Sequence, residues 1–336
     1  MKQFKFLFYA LFFMLFAVTA CNNDDDTTPE EEVNEAEVLV NYLESTNSPL
    51  GKDFVASDLP TIMTAADVKT LNETGKVYIM DIRSATDFAA GHIKNAKNVA
   101  FADILTHIKT VNMANYDKVA IVCYTGQTAG YAASLLRIMG YSKVFSMKWG
   151  MCAWHTDFAG KWNTAIANGN AYASQFVATE TVKGAKGNLP TLSTGKKTGQ
   201  EILEARVATL LTEGFTPGSI TNATVFGSLS TYYIVNYWPA AQYANPGHIP
   251  GAMQYTPKEA MKFAADLKTL PTNKPVVVYC YTGQTSAFLA AYLRLLGYDA
   301  KSLLYGTNGM IYDKMVTAGG MSVFSAAEIK GYEYDK

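Results

Sequence analysis

The chain has 336 residues, with 28 Lys and Arg against 29 Asp and Glu and a formal net charge of −1. Its length predicts roughly two domains, and a hydrophobic content of 49% excludes wholesale disorder. The charge balance argues against a dedicated nucleic-acid-binding protein, which usually carries a strong basic bias. Four cysteines are too few for a disulfide scaffold, and no Cys and His spacing predicts a metal site.

Residues 1–20 have the layout of a secretory signal peptide. Lys2 and Lys5 precede an apolar run over residues 6–18, which is short for a membrane-spanning helix of about 20 residues. The run ends in small residues followed directly by Cys21, a pattern that resembles a bacterial lipoprotein cleavage box and implies lipid modification of Cys21. An ordinary signal peptide with an incidental cysteine is the alternative. We therefore expect a lipid-anchored protein of the bacterial cell envelope, with the outer membrane as its expected location.

Residues 21–32 predict a flexible tether, because this acidic stretch with Pro29 cannot bury apolar surface. An acidic cluster just after a lipidated cysteine also resembles the surface-export signal of some Gram-negative lipoproteins. A plain solvated spacer is the alternative. Both a periplasmic and a surface-exposed position are therefore compatible with this segment.

The rest of the chain contains a duplication. Residues 123–141 read CYTGQTAGYAASLLRIMGY and residues 280–298 read CYTGQTSAFLAAYLRLLGY, with eleven of 19 positions identical. Upstream, GHIKNA begins at Gly91 and GHIPGA begins at Gly247, so two ordered motifs recur at nearly constant spacing. We predict a first domain at 33–165, a linker at 166–189 and a second domain at 190–336, with opening helices near 33–45 and 198–212.

Each repeated cysteine is predicted to follow a buried strand. Residues 119–122 and 276–279 are apolar runs without alternation, which is typical of parallel strands covered on both faces. A helical period begins six residues later, with Thr128 and Thr285 as the expected N-caps. The pattern predicts two α/β domains, each a parallel β-sheet flanked by helices on both faces, with the cysteines at the carboxyl edge where such sheets bind ligands.

The chemistry of the loops over 123–128 and 280–285 favours a reactive thiolate. Backbone N–H groups around a glycine can form an anion-binding nest, and the following helix adds its positive end. Since both effects favour the nucleophilic thiolate, we expect thiol pKa values below the ordinary value of about 8.5 in both copies. A buried structural cysteine is the alternative. We predict Cys123 and Cys280 as catalytic and, as substrate-binding, Tyr124, Thr125, Gly126, Gln127, Thr128, Tyr281, Thr282, Gly283, Gln284 and Thr285.

Further motifs accompany the loops. The first copy contains Asp81-Ile82-Arg83, Asp87-Phe88, Gly91-His92-Ile93 and the loop 123–128; the second contains Tyr243, the segment 247–252 and the loop 280–285. On these residues each copy resembles a rhodanese domain, and the resemblance covers most of the chain from about residue 60 onward.

The resemblance implies a sulfurtransferase and no metal or organic cofactor. The cysteine would take sulfane sulfur from a small donor, become a persulfide and pass the sulfur to a thiophilic acceptor such as a thiol or cyanide. Both loops lack Arg and Lys, which disfavours thiosulfate and leaves a persulfide, a polysulfide or a mercaptopyruvate-like compound as donor. A non-catalytic module that senses sulfur species or binds a partner is the alternative function.

The two copies differ before the loop. We expect Asp81, Arg83 and Asp87 to have structural roles, with Arg83 and Asp87 forming a local pair that braces the strand exit. The second copy has Asn236, Tyr237 and Trp238 where the first has Asp81, Ile82 and Arg83, so it must be braced differently.

The remaining candidates are predicted to be structural. His92 and His248 recur in Gly-His-Ile segments, where a role in a turn is favoured over that of a catalytic base. Cys152 occurs only in the first copy, as a resolving thiol for Cys123 or, the favoured interpretation, as an inert apolar residue. The sixth residue after each loop cysteine is Ala129 or Ser286 rather than the Arg that clamps an oxyanion in phosphatases with a similar fold, so phosphoryl chemistry is disfavoured.

Overall fold

The structure, a computed structural model, describes residues 34–336. The predicted signal peptide, the lipidation of Cys21 and the tether as far as residue 32 lie outside the described residues. Within residues 34–336, no helix is long and apolar enough to cross a membrane.

Two five-stranded sheets of identical topology organise the molecule, one for each copy of the repeat. The first comprises β1 (Ile62–Met63), β2 (Val77–Asp81), β3 (Lys97–Asn98), β4 (Lys118–Val122) and β5 (Val144–Met147); the second comprises β6 (Ser219–Ile220), β7 (Tyr233–Asn236), β8 (Met253–Gln254), β9 (Val276–Tyr279) and β10 (Ala300–Leu303). The strand orders are β1-β5-β4-β2-β3 and β6-β10-β9-β7-β8, and every pairing is parallel. The predicted fold class is confirmed.

Helices cover both faces of each sheet. Those of the first half are α1 (Glu35–Leu43), α2 (Phe54–Asp58), α3 (Ala65–Glu73), α4 (Ala85–Ala90), α5 (Ile104–Ile108), α6 (Gln127–Ile138) and α7 (Gly160–Ala167). Those of the second half are α8 (Gly199–Glu213), α9 (Asn222–Gly227), α10 (Ala240–Ala244), α11 (Gln284–Leu295) and α12 (Tyr312–Ala318).

The central strands β4 and β9 form because their sequences suit burial on both faces. Val276, Val277 and Val278 are fully buried, as β-branched residues of covered parallel strands commonly are. The opening helix of the second copy is also confirmed, since Thr198 caps α8 and completes a capping box with Glu201.

The helices that follow the two cysteine loops, α6 and α11, pack against each other at the centre of the molecule. Ser134 Oγ donates to the Phe288 carbonyl at 3.0 Å. A Cβ at Gly130 would lie 2.9 Å from the Gln284 carbonyl oxygen, so a glycine is needed where the helices approach. This packing brings the two cysteine loops to one interface between the domains.

Each copy ends on the domain of the other. Residues 169–181, part of the predicted linker, run along the second domain, where Val177 and His248 exchange backbone hydrogen bonds of 3.0 and 2.9 Å. Residues 324–335 return to the first domain, where Asp335 and His92 make the equivalent pair at 2.8 and 2.9 Å. The duplication predicts two similar domains, and the structure adds that their tails cross.

Candidate active site

Cys123 lies at the carboxyl end of β4, as its sequence position predicts. Its Sγ accepts hydrogen bonds from the backbone N–H groups of Gly126, at 3.1 Å, and Ala129, at 3.3 Å. Gly126 adopts a left-handed conformation, φ +85°, which turns these amides towards the sulfur. The loop therefore surrounds the thiol with donors, the arrangement that the sequence predicts.

The expected N-caps are wrong in both copies. Gly126 and Gly283, not Thr128 and Thr285, occupy the N-cap positions, because the helices begin directly at Gln127 and Gln284. The left-handed glycine ends each loop two residues earlier than the periodicity of the apolar residues indicates. Both threonines consequently lie inside the first helical turn.

Three neighbouring N–H groups donate hydrogen bonds to backbone carbonyls of the cysteine loop. The backbone N–H groups of Met151 and Cys152 donate to the carbonyls of Cys123 and Tyr124 at 2.8 and 3.1 Å. The indole Nε1–H of Trp162, which is fully buried on α7, donates to the Thr125 carbonyl at 3.1 Å. That carbonyl belongs to the same peptide unit as the Gly126 N–H, so Trp162 helps to aim the amide at Cys123.

A cavity of about 420 Å³ opens at Cys123, between the two domains. The predicted substrate-binding residues Tyr124, Thr125, Gln127 and Thr128 line it. The other lining residues that bear charge or an aromatic ring are Arg83, Asp87, Lys161 and Phe101 from the first half and Phe215 and Tyr305 from the second. The second domain thus forms one wall of the site around the first cysteine.

The cavity contains a positive charge that the loop sequence lacks. Lys161 Nζ lies 4.1 Å from the centre of the Tyr124 ring, a cation–π contact. Tyr124 in turn donates its hydroxyl to Asp87 at 2.8 Å. A hydrogen bond from Ser84 lowers the pKa of Asp87 most, followed by the bond from Tyr124 and the charges of Arg83 and Lys161, so Asp87 is ionised. Sequence reasoning missed Lys161, because it follows the cysteine by a whole strand and helix and belongs to no repeated motif.

The expected pair between Arg83 and Asp87 is wrong. Arg83 instead binds Asp81, through Nη2 at 2.6 Å and Nε at 3.0 Å, and Nη2 also donates to the Gly91 carbonyl at 2.7 Å. Asp81 and Arg83 are both buried. Asp81 and Arg83 are two residues apart where the chain leaves β2, so the Arg83 guanidinium folds back onto the Asp81 carboxylate. Asp81 is therefore the partner of Arg83, and Asp87, which is further away in the sequence, is not.

Burial raises the pKa of Cys123, and the N–H groups of Ala129, Thr125 and Gly126 oppose that shift without overcoming it. The expected lowering of the Cys123 pKa is therefore wrong for the thiol as it stands in the structure. The same amides can stabilise an anion that extends from the sulfur into the cavity.

Cys152 lies beneath the loop and has no exposed surface. Its Sγ–H donates to the Phe158 carbonyl at 3.0 Å, and burial raises its pKa to about 11. This environment favours the inert interpretation of Cys152 over that of a resolving thiol. The three cysteines of the described region, Cys123, Cys152 and Cys280, are all free thiols.

The second cysteine occupies the equivalent place after β9 but has different contacts. Cys280 Sγ accepts from the Ser286 N–H at 3.3 Å and lies 3.5 Å from the Ser286 hydroxyl. Of its predicted substrate-binding residues, Tyr281 donates to Gln242, and the Gln284 side chain crosses into the first domain. Thr282 and Gly283 are buried and Thr285 is half-buried.

The second copy is braced differently, as expected, and the groups that brace it are neutral. Asn236 Nδ2 donates to the Tyr279 hydroxyl at 2.8 Å. Trp238 stacks on Tyr281, with ring centroids 5.2 Å apart.

The repeated histidines make structural contacts. The His92 ring stacks on Phe88, at 3.8 Å between centroids, and its Nδ1 lies 2.9 Å from the Phe88 carbonyl. The His248 ring is fully buried against Tyr243, and its nitrogens contact the carbonyls of Tyr243 and Thr179. Within residues 34–336, no group of three or more His, Cys, Asp or Glu is placed to hold a metal ion.

The fold and the two cysteine loops define the class of the protein. The sequence profile of the rhodanese-like domain family matches residues 64–157 and 230–311, which together exceed half of the chain. The chain therefore belongs to the rhodanese-like domain family and carries two copies of the domain.

Curated relatives include thiosulfate sulfurtransferases of a single such domain's length. The thiosulfate sulfurtransferase GlpE of Pseudomonas fluorescens is 32% identical over 103 residues, which is 31% of this chain and 88% of the relative. GlpE of Shewanella oneidensis is 35% identical over 86 residues, 25% of this chain and 82% of the relative. At the family level, these relatives support an enzyme of the sulfurtransferase type.

Solved structures include similar chains. The 3-mercaptopyruvate sulfotransferase SseA of Escherichia coli matches 74% of this chain and 98% of its own, at 15% identity and a TM-score of 0.26. A rhodanese-like domain protein from Staphylococcus aureus matches 27% of this chain and 88% of its own, at 26% identity and a TM-score of 0.25.

Proposed function

We propose that the protein moves sulfane sulfur from a small donor to a thiophilic acceptor, a thiol or cyanide, through a persulfide on Cys123. The observation that carries the proposal is the position of the Cys123 sulfur, which lies at the cavity and accepts hydrogen bonds from two backbone N–H groups. A site with converging donors at a nucleophilic sulfur is suited to hold an anionic sulfur species.

The proposed sulfur transfer needs no cofactor, because each step forms one bond to sulfur and breaks one S–S bond. The Cys123 thiolate attacks the outer sulfur of a persulfide donor, a new S–S bond forms, and the donor's S–S bond breaks with its electron pair leaving on the donor thiolate. The acceptor thiolate or cyanide then attacks the terminal sulfur and releases the Cys123 thiolate. Because burial raises the pKa of Cys123, loss of the thiol proton is part of the first step, and the amides of Gly126 and Ala129 stabilise the charge that develops.

The contacts of Cys123 and Cys280 make the first copy the principal site in this proposal. Cys123 faces two amides and the cavity, whereas the contacts of Cys280 involve the buried hydroxyl of Ser286. Activity at both cysteines stays a prediction from their identical loops.

The test uses the wild type, Cys123→Ser, Cys280→Ser and the double variant with thiosulfate, glutathione persulfide and 3-mercaptopyruvate. Mass spectrometry should find one added sulfur atom on Cys123, and Cys123→Ser should lose most of the sulfur transfer to cyanide. Transfer by the double variant at the wild-type rate contradicts the proposal. Sulfur uptake without transfer to any acceptor would favour the non-catalytic sulfur-binding alternative.

We also propose a lipid anchor at Cys21 that holds the protein in the bacterial cell envelope, at the outer membrane. The support is the apolar run over 6–18 and the small residues before Cys21. The wild type should incorporate labelled fatty acid and sediment with membranes, and Cys21→Ala should do neither. Unchanged sedimentation of Cys21→Ala would contradict the anchor.

A further inference from the structure

The side chain of Gln284 leaves its own domain and enters the first. It is fully buried, and its three side-chain hydrogen bonds all cross the interface. Nε2 donates to the carbonyls of Gly126 and Met147, both at 3.2 Å, while Oε1 accepts the N–H of Trp149 at 3.0 Å. Gln284 thus joins the Cys123 loop to residues 147–152, the segment whose N–H groups also donate to that loop.

The contact with Gly126 acts next to the reactive sulfur. Gly126 bears the N–H that lies 3.1 Å from Cys123 Sγ, and its left-handed conformation sets the direction of that bond. Trp162 holds the peptide unit before Gly126, through the Thr125 carbonyl, and Gln284 holds the peptide unit after it. A Cβ at Gly126 would collide with the Gln284 amide, so glycine leaves room here for the Gln284 side chain.

The reciprocal side chain, Gln127, makes fewer hydrogen bonds across the interface. Gln127 Oε1 accepts the N–H of Tyr305 at 2.7 Å, but its Nε2 turns back to Thr125 Oγ1 in its own loop at 3.1 Å. Gln284 therefore makes three bonds to the first domain, whereas Gln127 makes one to the second. This asymmetry matches the position of the cavity, which lies at Cys123.

We propose that Gln284 is a positioning residue for Cys123, supplied by the other copy of the repeat. By fixing the Gly126 carbonyl, it holds the Gly126 N–H on the sulfur and so stabilises the thiolate and any persulfide that extends from it. The Gly126 carbonyl also accepts the first helical hydrogen bond of α6, from the Gly130 N–H at 2.9 Å, so Gln284 is its second donor. Without Gln284 the carbonyl is held from the helix side alone, and the peptide units around it are free to shift. The inference rests on the proposed function only in taking Cys123 as the reacting thiol.

The test measures the rate of alkylation of Cys123 by iodoacetamide against pH, resolved for each cysteine by peptide mass spectrometry. Gln284→Met keeps the volume and removes all three bonds, whereas Gln284→Asn keeps a shorter amide. In Gln284→Met we expect the midpoint for Cys123 to move up by about 0.5–1 pH unit, which lowers the rate at neutral pH roughly three- to tenfold. Gln284→Asn should lie between this variant and the wild type. Gln200→Met, on the exposed face of α8, is the matched control and should leave the profile unchanged.

The direction in which the Cys123 pKa shifts distinguishes the loss of a positioning contact from a general loosening of the domain interface. A loosened interface would expose Cys123, bring its pKa down towards that of a free thiol and speed alkylation. Faster alkylation, or an unchanged profile in folded Gln284→Met, overturns the proposal; if Gln284→Met does not fold, an unchanged profile in Gln284→Asn does so. Alkylation uses no sulfur donor, so wild-type protein that alkylates as expected but forms no persulfide defeats the proposed function alone.

Discussion

The ammonium group of Lys161 lies 4.1 Å from the centre of the Tyr124 ring, so α7 brings a positive charge to a cavity whose cysteine loop has none. Lys161→Glu should slow the reaction of Cys123 with the anion iodoacetate relative to neutral iodoacetamide, by roughly three- to tenfold at low salt. Lys109→Glu, which makes the same charge change at an exposed site outside the cavity lining, should leave the ratio unchanged. If the ratio of the iodoacetate and iodoacetamide rates is the same in Lys161→Glu as in the wild type, Lys161 does not select anions at this cavity.

The buried pair of Arg83 and Asp81 predicts a large stability effect. Asp81→Asn removes the carboxylate that pairs with the buried Arg83 guanidinium, which should lower the free energy of unfolding by about 3–5 kcal/mol. Glu73→Gln, which breaks the exposed pair of Lys69 and Glu73, should change it by less than about 0.5 kcal/mol. Urea denaturation measures both values, and similar losses in the two variants would contradict the assigned role of the buried pair.

The raised pKa of Cys152 predicts a loss of stability in alkali. Below the free-thiol pKa of about 8.5, the thiol is protonated in both the folded and the unfolded chain. Between that value and about 11, the unfolded chain loses the proton while the folded chain keeps it, so stability falls as pH rises. Between pH 8 and pH 10, the wild type should therefore lose about 1–2 kcal/mol more than Cys152→Ala. Equal losses in urea titrations at the two pH values would show that Cys152 ionises as freely in the folded protein as in the unfolded one.

Trp162 and Trp238 allow the contribution of one indole hydrogen bond to be measured. Both side chains are buried, but Trp162 Nε1 donates to the Thr125 carbonyl, whereas Trp238 Nε1 has no partner among the described residues. Trp162→Phe should therefore cost about 1–2 kcal/mol more in unfolding free energy than Trp238→Phe. It should also slow alkylation of Cys123, because the peptide unit that bears the Gly126 N–H loses its support. Equal costs and an unchanged alkylation rate would argue against this role.

Local features of the fold follow from the sequence, while contacts between distant residues do not. The strand, loop and helix around Cys123 are encoded within about twenty consecutive residues, and their repetition at Cys280 makes the pattern unmistakable. The predicted threonine N-caps are wrong because a left-handed glycine, Gly126 in the first copy, already occupies the N-cap position. Lys161 and Trp162 reach the loop only through the packing of α7, and no local pattern marks them.

Gln284 shows the same limit inside the predicted motif. Its place in the loop predicts contact with substrate, but the packing of α6 on α11 sends its side chain into the other domain. Likewise, the choice of Arg83 between Asp81 and Asp87 depends on the path of the chain beyond β2, which sequence spacing leaves open.

The crossed tails should hold the two halves together even after the chain between them is cut. Residues 169–181 are held on the second domain and residues 324–335 on the first, and the stretch between the halves includes Val182, which is 81% exposed. A protease that cuts beside Val182 should therefore yield two fragments that migrate together until denatured. Two half-length polypeptides produced in one cell should likewise assemble as a swapped heterodimer.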